Sequence, residues 1–79
     1  MVLLDVRSPR AFARRHVPGS LNLPLRVLRH AAAVLDKSRS YVICGNGRRA
    51  AAAVSVLVRH GVTATMWDCN PVSLRPPPR

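Results

Sequence analysis

The sequence predicts a three-layer α/β domain with helices on both faces of a short parallel sheet. Three observations support this fold class: strand and helix patterns alternate along the chain, glycine or proline turns separate them, and 48% of the 79 residues are apolar. A chain this short buries only about 60% of the surface that its unfolded form exposes, so we expect one thin core. Right-handed crossovers are expected to join its parallel strands.

Two strand–helix units fill the first half of the chain. An apolar run at residues 2–6 predicts a buried strand, and Ser8 followed by Pro9 is a typical start for a helix over residues 9–15. After a turn, residues 20–24 predict a second, very short strand. The amphipathic helix that follows is expected to bury apolar residues at three- and four-residue steps, namely Leu25, Leu28, Ala32 and Leu35.

The second half repeats this pattern with stronger signals. Residues 41–44 are β-branched, aromatic or apolar and predict a strand that leads into a glycine-rich loop. A helix is predicted over residues 48–60, ended by Gly61 in a left-handed conformation, and a last strand over residues 62–68. The inner stripe of this helix is Ala50, Ala53, Val54 and Leu57.

The charge is strongly positive: 13 lysine and arginine residues face 3 acidic residues, and the net charge is +10. Such a balance attracts nucleic acid, anionic membranes or small anions. The arginines, however, are spread from Arg7 to Arg79 in runs of no more than two, and only three aromatic residues accompany them. This pattern is typical of solvated surface arginine and argues against nucleic acid as the partner.

Neither a membrane nor an oxidising compartment is indicated. The longest apolar run, residues 50–58, is broken by Ser55, so no segment is expected to span a bilayer. The first residues lack the basic start of a secretory signal. Two cysteines, Cys44 and Cys69, cannot form a disulfide framework. We therefore predict a soluble protein of a reducing compartment, the cytoplasm.

The chemistry is predicted to lie where the third strand ends. Reactive groups of parallel sheets gather at the carboxyl ends of the strands, and Cys44 occupies such an end. Gly45 and Gly47 let the backbone curl with positive φ so that successive amides face one point. The helix start adds its amides and dipole, and Arg48 and Arg49 add two guanidinium groups. Such a loop stabilises a thiolate and binds an anion.

A purely structural role is the competing interpretation of this cysteine. Cysteine outside disulfides is among the most buried residue types, and a glycine turn after it fits that role equally well. The combination of a strand end, Gly-x-Gly, two arginines and a helix start favours the functional interpretation.

The loop at residues 44–50, Cys-Gly-Asn-Gly-Arg-Arg-Ala, resembles the active-site loop of the rhodanese family. That family has a cysteine, two variable residues, glycine, one variable residue, arginine and a small residue. Residues 3–7 resemble the family's first motif, and residues 16–24 resemble its His-Ile-Pro-Gly-Ala segment with the Asn-x-Pro after it. Gly61 before a last strand matches the approach to the final motif. The resemblance covers residues 3–68.

The resemblance implies a rhodanese-like fold and a sulfurtransferase activity without a cofactor. In that family the cysteine thiolate attacks a sulfane donor such as thiosulfate, releases sulfite and becomes a persulfide, and a thiol or cyanide removes the outer sulfur. Carried over, Cys44 is the nucleophile, and Asp5 and Arg7 support its loop or pair with each other. The residues implied to bind substrate follow the cysteine: Gly45, Asn46, Gly47, Arg48, Arg49 and Ala50.

Two other kinds of site are disfavoured. Phosphatases and arsenate reductases of similar fold have a longer loop between cysteine and arginine, whereas the six residues 44–49 form a tighter ring that suits one sulfur atom. No histidine forms metal-ligand spacing with a cysteine, so we predict no metal; the histidines are His16, His30 and His60.

The sequence departs from the family pattern at both ends. The family's first strand and last helix have no counterpart, and Ala11 stands where an acidic residue is common. We therefore expect a shortened domain at residues 1–70, a sheet of about four strands with one exposed edge, and a disordered tail at residues 71–79. The second functional hypothesis is a non-catalytic rhodanese-like module that binds a partner protein or an adjoining domain.

Overall fold

The computed structural model describes residues 1–45 and 47–67, and the structural statements below concern these residues. Strands and helices alternate in the predicted order. The elements are β1 at Val2–Asp5, α1 at Pro9–Arg14, β2 at Leu21–Asn22, α2 at Leu25–Ala31, a short 3-10 helix at Ala32–Val34, β3 at Ser40–Cys44, α3 at Gly47–Arg59 and β4 at Thr63–Trp67.

The four strands form one parallel sheet, as predicted, and their order in the sheet is β2-β1-β3-β4. The connection through α1 crosses the sheet in one direction, and those through α2 and α3 cross it in the other. Right-handed crossovers therefore place α1 on one face and α2 with α3 on the opposite face. The contact between α2 and α3 agrees with this arrangement, which gives the three layers expected from the sequence.

The core lies between the sheet and the pair α2 and α3. Its largest fully buried apolar side chains are Leu28, Ile43 and Leu57, one each from α2, β3 and α3. The predicted inner stripe of α3 is confirmed, because Ala50, Ala53 and Leu57 are buried and Val54 packs against them. This packing fixes α3 against β3 and therefore fixes the junction that joins them. The full cluster is Leu4, Val6, Leu28, Ala32, Tyr41, Ile43, Ala50, Ala53, Leu57 and Val62.

The boundaries of α2 differ from the expectation. The apolar stripe predicted a helix as far as Leu35, whereas the α-helix ends at Ala31 and a 3-10 turn continues to Val34. The turn still brings Ala32 into the core, and it leaves Leu35 in an extended conformation that directs the chain toward β3. Three- and four-residue spacing cannot separate these two helix types, because each of them returns to the same face after one turn.

The start of α1 follows the sequence signals closely. The Ser8 hydroxyl accepts a hydrogen bond from the Ala11 amide at 3.2 Å, and Pro9 is the first helical residue. No residue of α1 is buried, so this helix covers its face of the sheet thinly. None of the helices in residues 1–45 and 47–67 is long and apolar enough to cross a membrane. The predicted tail at residues 71–79 lies outside the described residues.

Candidate active site

Cys44 is the last residue of β3 and lies in a row of residues that crosses the sheet. Asp5 of β1 and Trp67 of β4 are its Cα partners on either side, and Asn22 of β2 is the partner of Asp5. Residues in register on neighbouring strands point to the same face. We call Asn22, Asp5, Cys44 and Trp67 the carboxyl-end row.

The carboxyl-end row faces away from the main core. Leu4 and Ile43 belong to the core cluster, and strand alternation directs their successors Asp5 and Cys44 to the opposite face. Cys44 is nevertheless buried, with 6% of its surface exposed. The packing of α2 and α3 therefore does not account for a cysteine at this position.

The loop after Cys44 depends on the backbone freedom of glycine. Gly45 has a φ of 124° and Gly47 a φ of 80°. A Cβ atom built on either residue would meet nothing within 4 Å. Glycine is therefore favoured here because of its positive φ and not because a side chain would collide with a neighbour. The Gly45 amide donates to the Trp67 carbonyl at 2.8 Å, which ties the loop to β4. This amide belongs to the sheet, so the predicted anion cradle must be built from the amides after it.

The start of α3 presents amides and positive charge next to the loop. Amides in the first turn of an α-helix have no partner within the helix, and that end of the helix dipole is positive. No acidic residue lies in the first turn, and Arg48 and Arg49 are both exposed. Ala50 packs in the core, so only its backbone faces the loop side. Asn46 lies outside the described residues.

The two arginines leave α3 in different directions. At about 100° per residue, Arg49 lies about a quarter-turn around the helix from the buried Ala50, and Arg48 lies on the side opposite the core. Arg49 is therefore the arginine nearer to the sheet, and Arg48 points into solvent. The pair offers a test residue and a matched control on the same helix turn.

Asp5 and Arg7 form a closely bonded ion pair beside the cysteine. The Asp5 side chain is 2% exposed. Arg7 Nη2 donates to one carboxylate oxygen at 2.8 Å, Nε donates to both oxygens at 3.0 and 3.1 Å, and the Arg7 amide donates at 3.0 Å. Arg7 also donates to the carbonyl of Arg15. The pairing that the sequence left open is thus present.

Asn22 and Trp67 are site residues that the sequence did not single out for a role in the site. The Asn22 side chain donates to the carbonyls of Asp5 and Arg7, each at 3.0 Å, and holds the end of β1 in place. Trp67 supplies the carbonyl that anchors Gly45. Their positions follow from strand register, for which a single sequence holds no direct signal.

Asp36 has a perturbed pKa but lies away from Cys44. The hydroxyl and amide of Ser38 donate to Asp36 at 2.6 and 2.9 Å and, with Arg39, lower the pKa of that carboxyl. Asp36 precedes β3 and so lies at the far end of the strand from Cys44. His16 stacks on Phe12. Within residues 1–45 and 47–67, no three potential metal ligands come together.

Comparison with known proteins places these features in a family. The sequence profile of the Rhodanese-like domain matches residues 1–69. A tRNA sulfurtransferase of Thermoplasma acidophilum is 42% identical over 64 residues, which cover 80% of this chain and 13% of that protein. A thiosulfate sulfurtransferase of Escherichia coli is 36% identical over 63 residues, which cover 76% of this chain and 61% of that protein. The chain thus spans only part of each relative.

A solved structure gives the same result for the fold. An Escherichia coli rhodanese with anions superposes with a TM-score of 0.67 and 31% identity, and the match covers 82% of this chain and 80% of that chain. The profile spans most of the sequence, and the observed sheet and loop agree with it. The chain therefore belongs to the rhodanese-like domain family.

Proposed function

We propose that the chain is a sulfurtransferase that carries a sulfane sulfur as a persulfide on Cys44. The donor is thiosulfate or a persulfide, and the acceptor is a thiol or cyanide. The observation that carries the proposal is the junction of β3 and α3, where a buried cysteine ends a strand and two glycines with positive φ lead directly into a helix start. Sulfurtransferase names among the relatives support the same reaction class.

The proposed reaction has two displacement steps. The Cys44 thiolate attacks the outer sulfur of thiosulfate, a new S–S bond forms, and the old S–S bond breaks so that sulfite leaves with its electron pair. The acceptor then attacks the outer sulfur of the persulfide, and Cys44 leaves as a thiolate. Helix dipole, loop amides and nearby guanidinium groups favour the thiolate in both steps.

Anion recognition is assigned to the start of α3. The amides of Gly47, Arg48 and Arg49 belong to the first helical turn and can donate to an anion. Arg49, on the side nearer to the sheet, attracts the dianionic donor. A rhodanese of Escherichia coli was solved with anions, which supports an anionic donor for this chain.

The burial of Cys44 suits a sulfur carrier. A persulfide extends the side chain by one S–S bond of about 2 Å, so the outer sulfur reaches farther toward the loop than the thiol does. The inner sulfur remains sheltered from other oxidants and thiols. A reducing compartment such as the cytoplasm would keep Cys44 ready for the next donor.

A non-catalytic module is the second candidate, and the edge of the sheet favours it. β4 has a neighbour only on its β3 side within the described residues, and Thr63, Thr65 and Met66 are exposed. An open edge strand can pair with a segment of another chain. In this alternative, Cys44 is a packing residue and takes up no sulfur.

Intact-mass spectrometry after incubation with thiosulfate separates the two candidates. The enzyme gains about 32 Da, one sulfur atom, and loses it again on treatment with cyanide or a thiol. Cys44→Ser removes the gain, whereas the control Cys69→Ser keeps it. No gain in the folded protein supports the module, and a gain that survives in Cys44→Ser rejects Cys44 as the carrier.

A further inference from the structure

A buried carboxylate lies next to the cysteine. Asp5 and Cys44 are register partners on adjacent strands and point to the same face. Their backbones are about 4.8 Å apart in the direction of the interstrand hydrogen bonds. Asp5 is 2% and Cys44 6% exposed, so little water lies between them to screen their charges. A thiolate at Cys44 would have a negative charge as its immediate neighbour.

An uncompensated carboxylate on the neighbouring strand, in register with the cysteine, opposes the thiolate. A like charge within a few ångströms disfavours the charged form of an acid, and the effect is stronger inside a protein than in water. The proposed reaction needs a thiolate near neutral pH. Asp5 is therefore tolerable beside Cys44 only if its charge is balanced.

Arg7 supplies that balance. Among the described residues, all four hydrogen bonds to the Asp5 carboxylate come from Arg7, three from its side chain and one from its amide. The bond from Arg7 to the Arg15 carbonyl and the bonds from Asn22 to the carbonyls of Asp5 and Arg7 hold the pair in place. The guanidinium group is planar and keeps its charge at every relevant pH.

The other described neighbours of Cys44 can favour the thiolate, but they form no hydrogen bond with the Asp5 carboxylate. β4 contributes the uncharged Trp67 in register with Cys44. The start of α3 contributes Arg48 and Arg49, which are exposed and therefore screened by water and salt. Residues after Trp67 lie outside the described part of the chain. Among the described residues, Arg7 alone is hydrogen-bonded to the Asp5 carboxylate, so the neutralisation of that buried charge depends on Arg7.

We infer that Arg7 is a positioning residue for the Cys44 chemistry: by neutralising the buried Asp5 carboxylate, it permits the thiolate that sulfur transfer requires. This inference rests on the proposed function for its biological meaning. Its physical content concerns only the ionisation of Cys44, which can be measured without any sulfur transfer. A pair that merely held the end of β1 in place would affect stability and leave the ionisation unchanged.

The test is the pH dependence of alkylation of Cys44 by iodoacetamide. Trypsin releases Cys44 in the peptide of residues 40–48 and Cys69 in the peptide of residues 60–79, because the bond from Arg75 to Pro76 is not cleaved, so mass spectrometry follows each thiol separately. The variants are Arg7→Gln, Arg7→Lys and Asp5→Asn/Arg7→Gln. Circular dichroism checks that each variant is folded.

The ranking of the midpoints is the decisive result. Arg7→Gln raises the pH midpoint of Cys44 alkylation by about 1–2 units, because the carboxylate is left unbalanced. Arg7→Lys keeps the charge and stays near the wild type. Asp5→Asn/Arg7→Gln removes both charges and returns the midpoint toward the wild type, which is the coupling that a double-mutant cycle detects.

Two outcomes would overturn the inference. One is an Arg7→Gln midpoint equal to that of the wild type, and the other is a double variant that remains as high as Arg7→Gln alone. If Arg7→Gln unfolds, Asp5→Asn is tested in its place. This variant keeps the Arg7 charge without the carboxylate, so its alkylation midpoint is expected at or below the wild-type value. A higher midpoint rejects the inference. If the proposed function alone fails, no persulfide forms, yet the ranking of the alkylation midpoints is unchanged.

Discussion

The two ends of α3 differ in whether helix stability explains their residues. At the carboxyl end, Gly61 has a φ of 76°, its amide donates to the Val58 carbonyl at 3.0 Å, and the Val62 amide donates to Leu57 at 2.9 Å. These two bonds form a Schellman stop, and Arg59 suits the negative end of the dipole. Helix stability accounts for the residues at this end.

At the amino end of α3, the residues are not those that stabilise a helix. Arg48 and Arg49 lie at the positive end of the dipole, where acidic residues are favoured, and the first turn contains no acidic residue. Gly45 and Gly47 adopt positive φ although nothing near them excludes a side chain. Helix stability does not explain this end. A thiolate and a bound anion would explain it, because both are stabilised by amides and positive charge.

Replacing a glycine at each end is expected to give the largest contrast. Gly45→Ala and Gly61→Ala each place a side chain at positive φ, a strain of about 1–3 kcal/mol that lowers the melting temperature of both variants. Only Gly45→Ala also distorts the loop beside Cys44. We expect it to reduce sulfur transfer from thiosulfate by more than about tenfold, since loop geometry sets the positions of the catalytic groups.

The comparison is made per folded molecule, with thermal denaturation measured alongside the transfer rate. Gly61→Ala is the matched control and should keep its transfer rate. Equal rates in the two variants would mean that the Gly45 conformation serves the fold alone.

Replacing Arg49 is expected to have the next largest effect. Arg49→Ala removes a charge-assisted contact and slows transfer from thiosulfate by about tenfold, with a much smaller effect for an uncharged persulfide donor. Arg49→Lys recovers most of the attraction but not a bidentate geometry. Steady-state rates with both donors provide the measurement.

Arg48→Ala is the control for the same helix turn, because Arg48 points away from the sheet. We expect a smaller loss than for Arg49→Ala. An equal loss with both donors in Arg49→Ala would assign this residue to loop shape and leave recognition to the amides.

Salt should reduce the effect of Arg49. The screening length falls from about 10 Å at 0.1 M to about 3 Å at 1 M ionic strength, so exposed charges attract an anion less strongly at high salt. Between 0.1 M and 1 M ionic strength, we expect the rate of sulfur transfer from thiosulfate to fall by a larger factor in the wild type than in Arg49→Ala. Parallel salt curves for the two proteins would reject an electrostatic role.

Charge reversal at the two ends of α3 should give the smallest effects, which are opposite changes in the stability of the fold. Arg48→Glu is expected to stabilise the fold by about 0.3–1 kcal/mol, because an acid suits the amino end of the helix, and Arg59→Glu to destabilise it by a similar amount. Urea denaturation measures both changes. A lower stability for Arg48→Glu would show that the wild-type arginine contributes to folding, and the contrast between the helix ends would lose its basis.

Much of the fold could be predicted because the local signals agree. Ser8 and Pro9 mark the start of α1, Gly61 marks the end of α3, and the apolar steps of α3 identify its buried side. At the end of α2 the spacing is compatible with two helix types, so the pattern predicts a helix as far as Leu35, whereas the α-helix ends at Ala31.

The sequence predicted the parts of the site that are consecutive in the chain, but not the contacts between residues on different strands. Cys44 and its loop are consecutive, so their motif is visible in the sequence. The contacts of Asp5 with Cys44, and of Gly45 with Trp67, depend on how strands pair. The family motif implies that the Gly45 amide lines the cradle, whereas in the structure this amide donates to the Trp67 carbonyl of β4. Cys69 lies outside the described residues, and the sequence predicts an incidental residue there and not a resolving thiol, because one cysteine completes the persulfide cycle.

The most direct test of Cys44 as the sulfur carrier is to locate the transferred sulfur. The folded protein is incubated with thiosulfate, its persulfides are trapped by alkylation, and the tryptic peptides are weighed. We predict one additional sulfur, about 32 Da, on the peptide of residues 40–48 and none on the peptide of residues 60–79. Sulfur on the second peptide, or on neither, would contradict the assignment of Cys44 as the carrier.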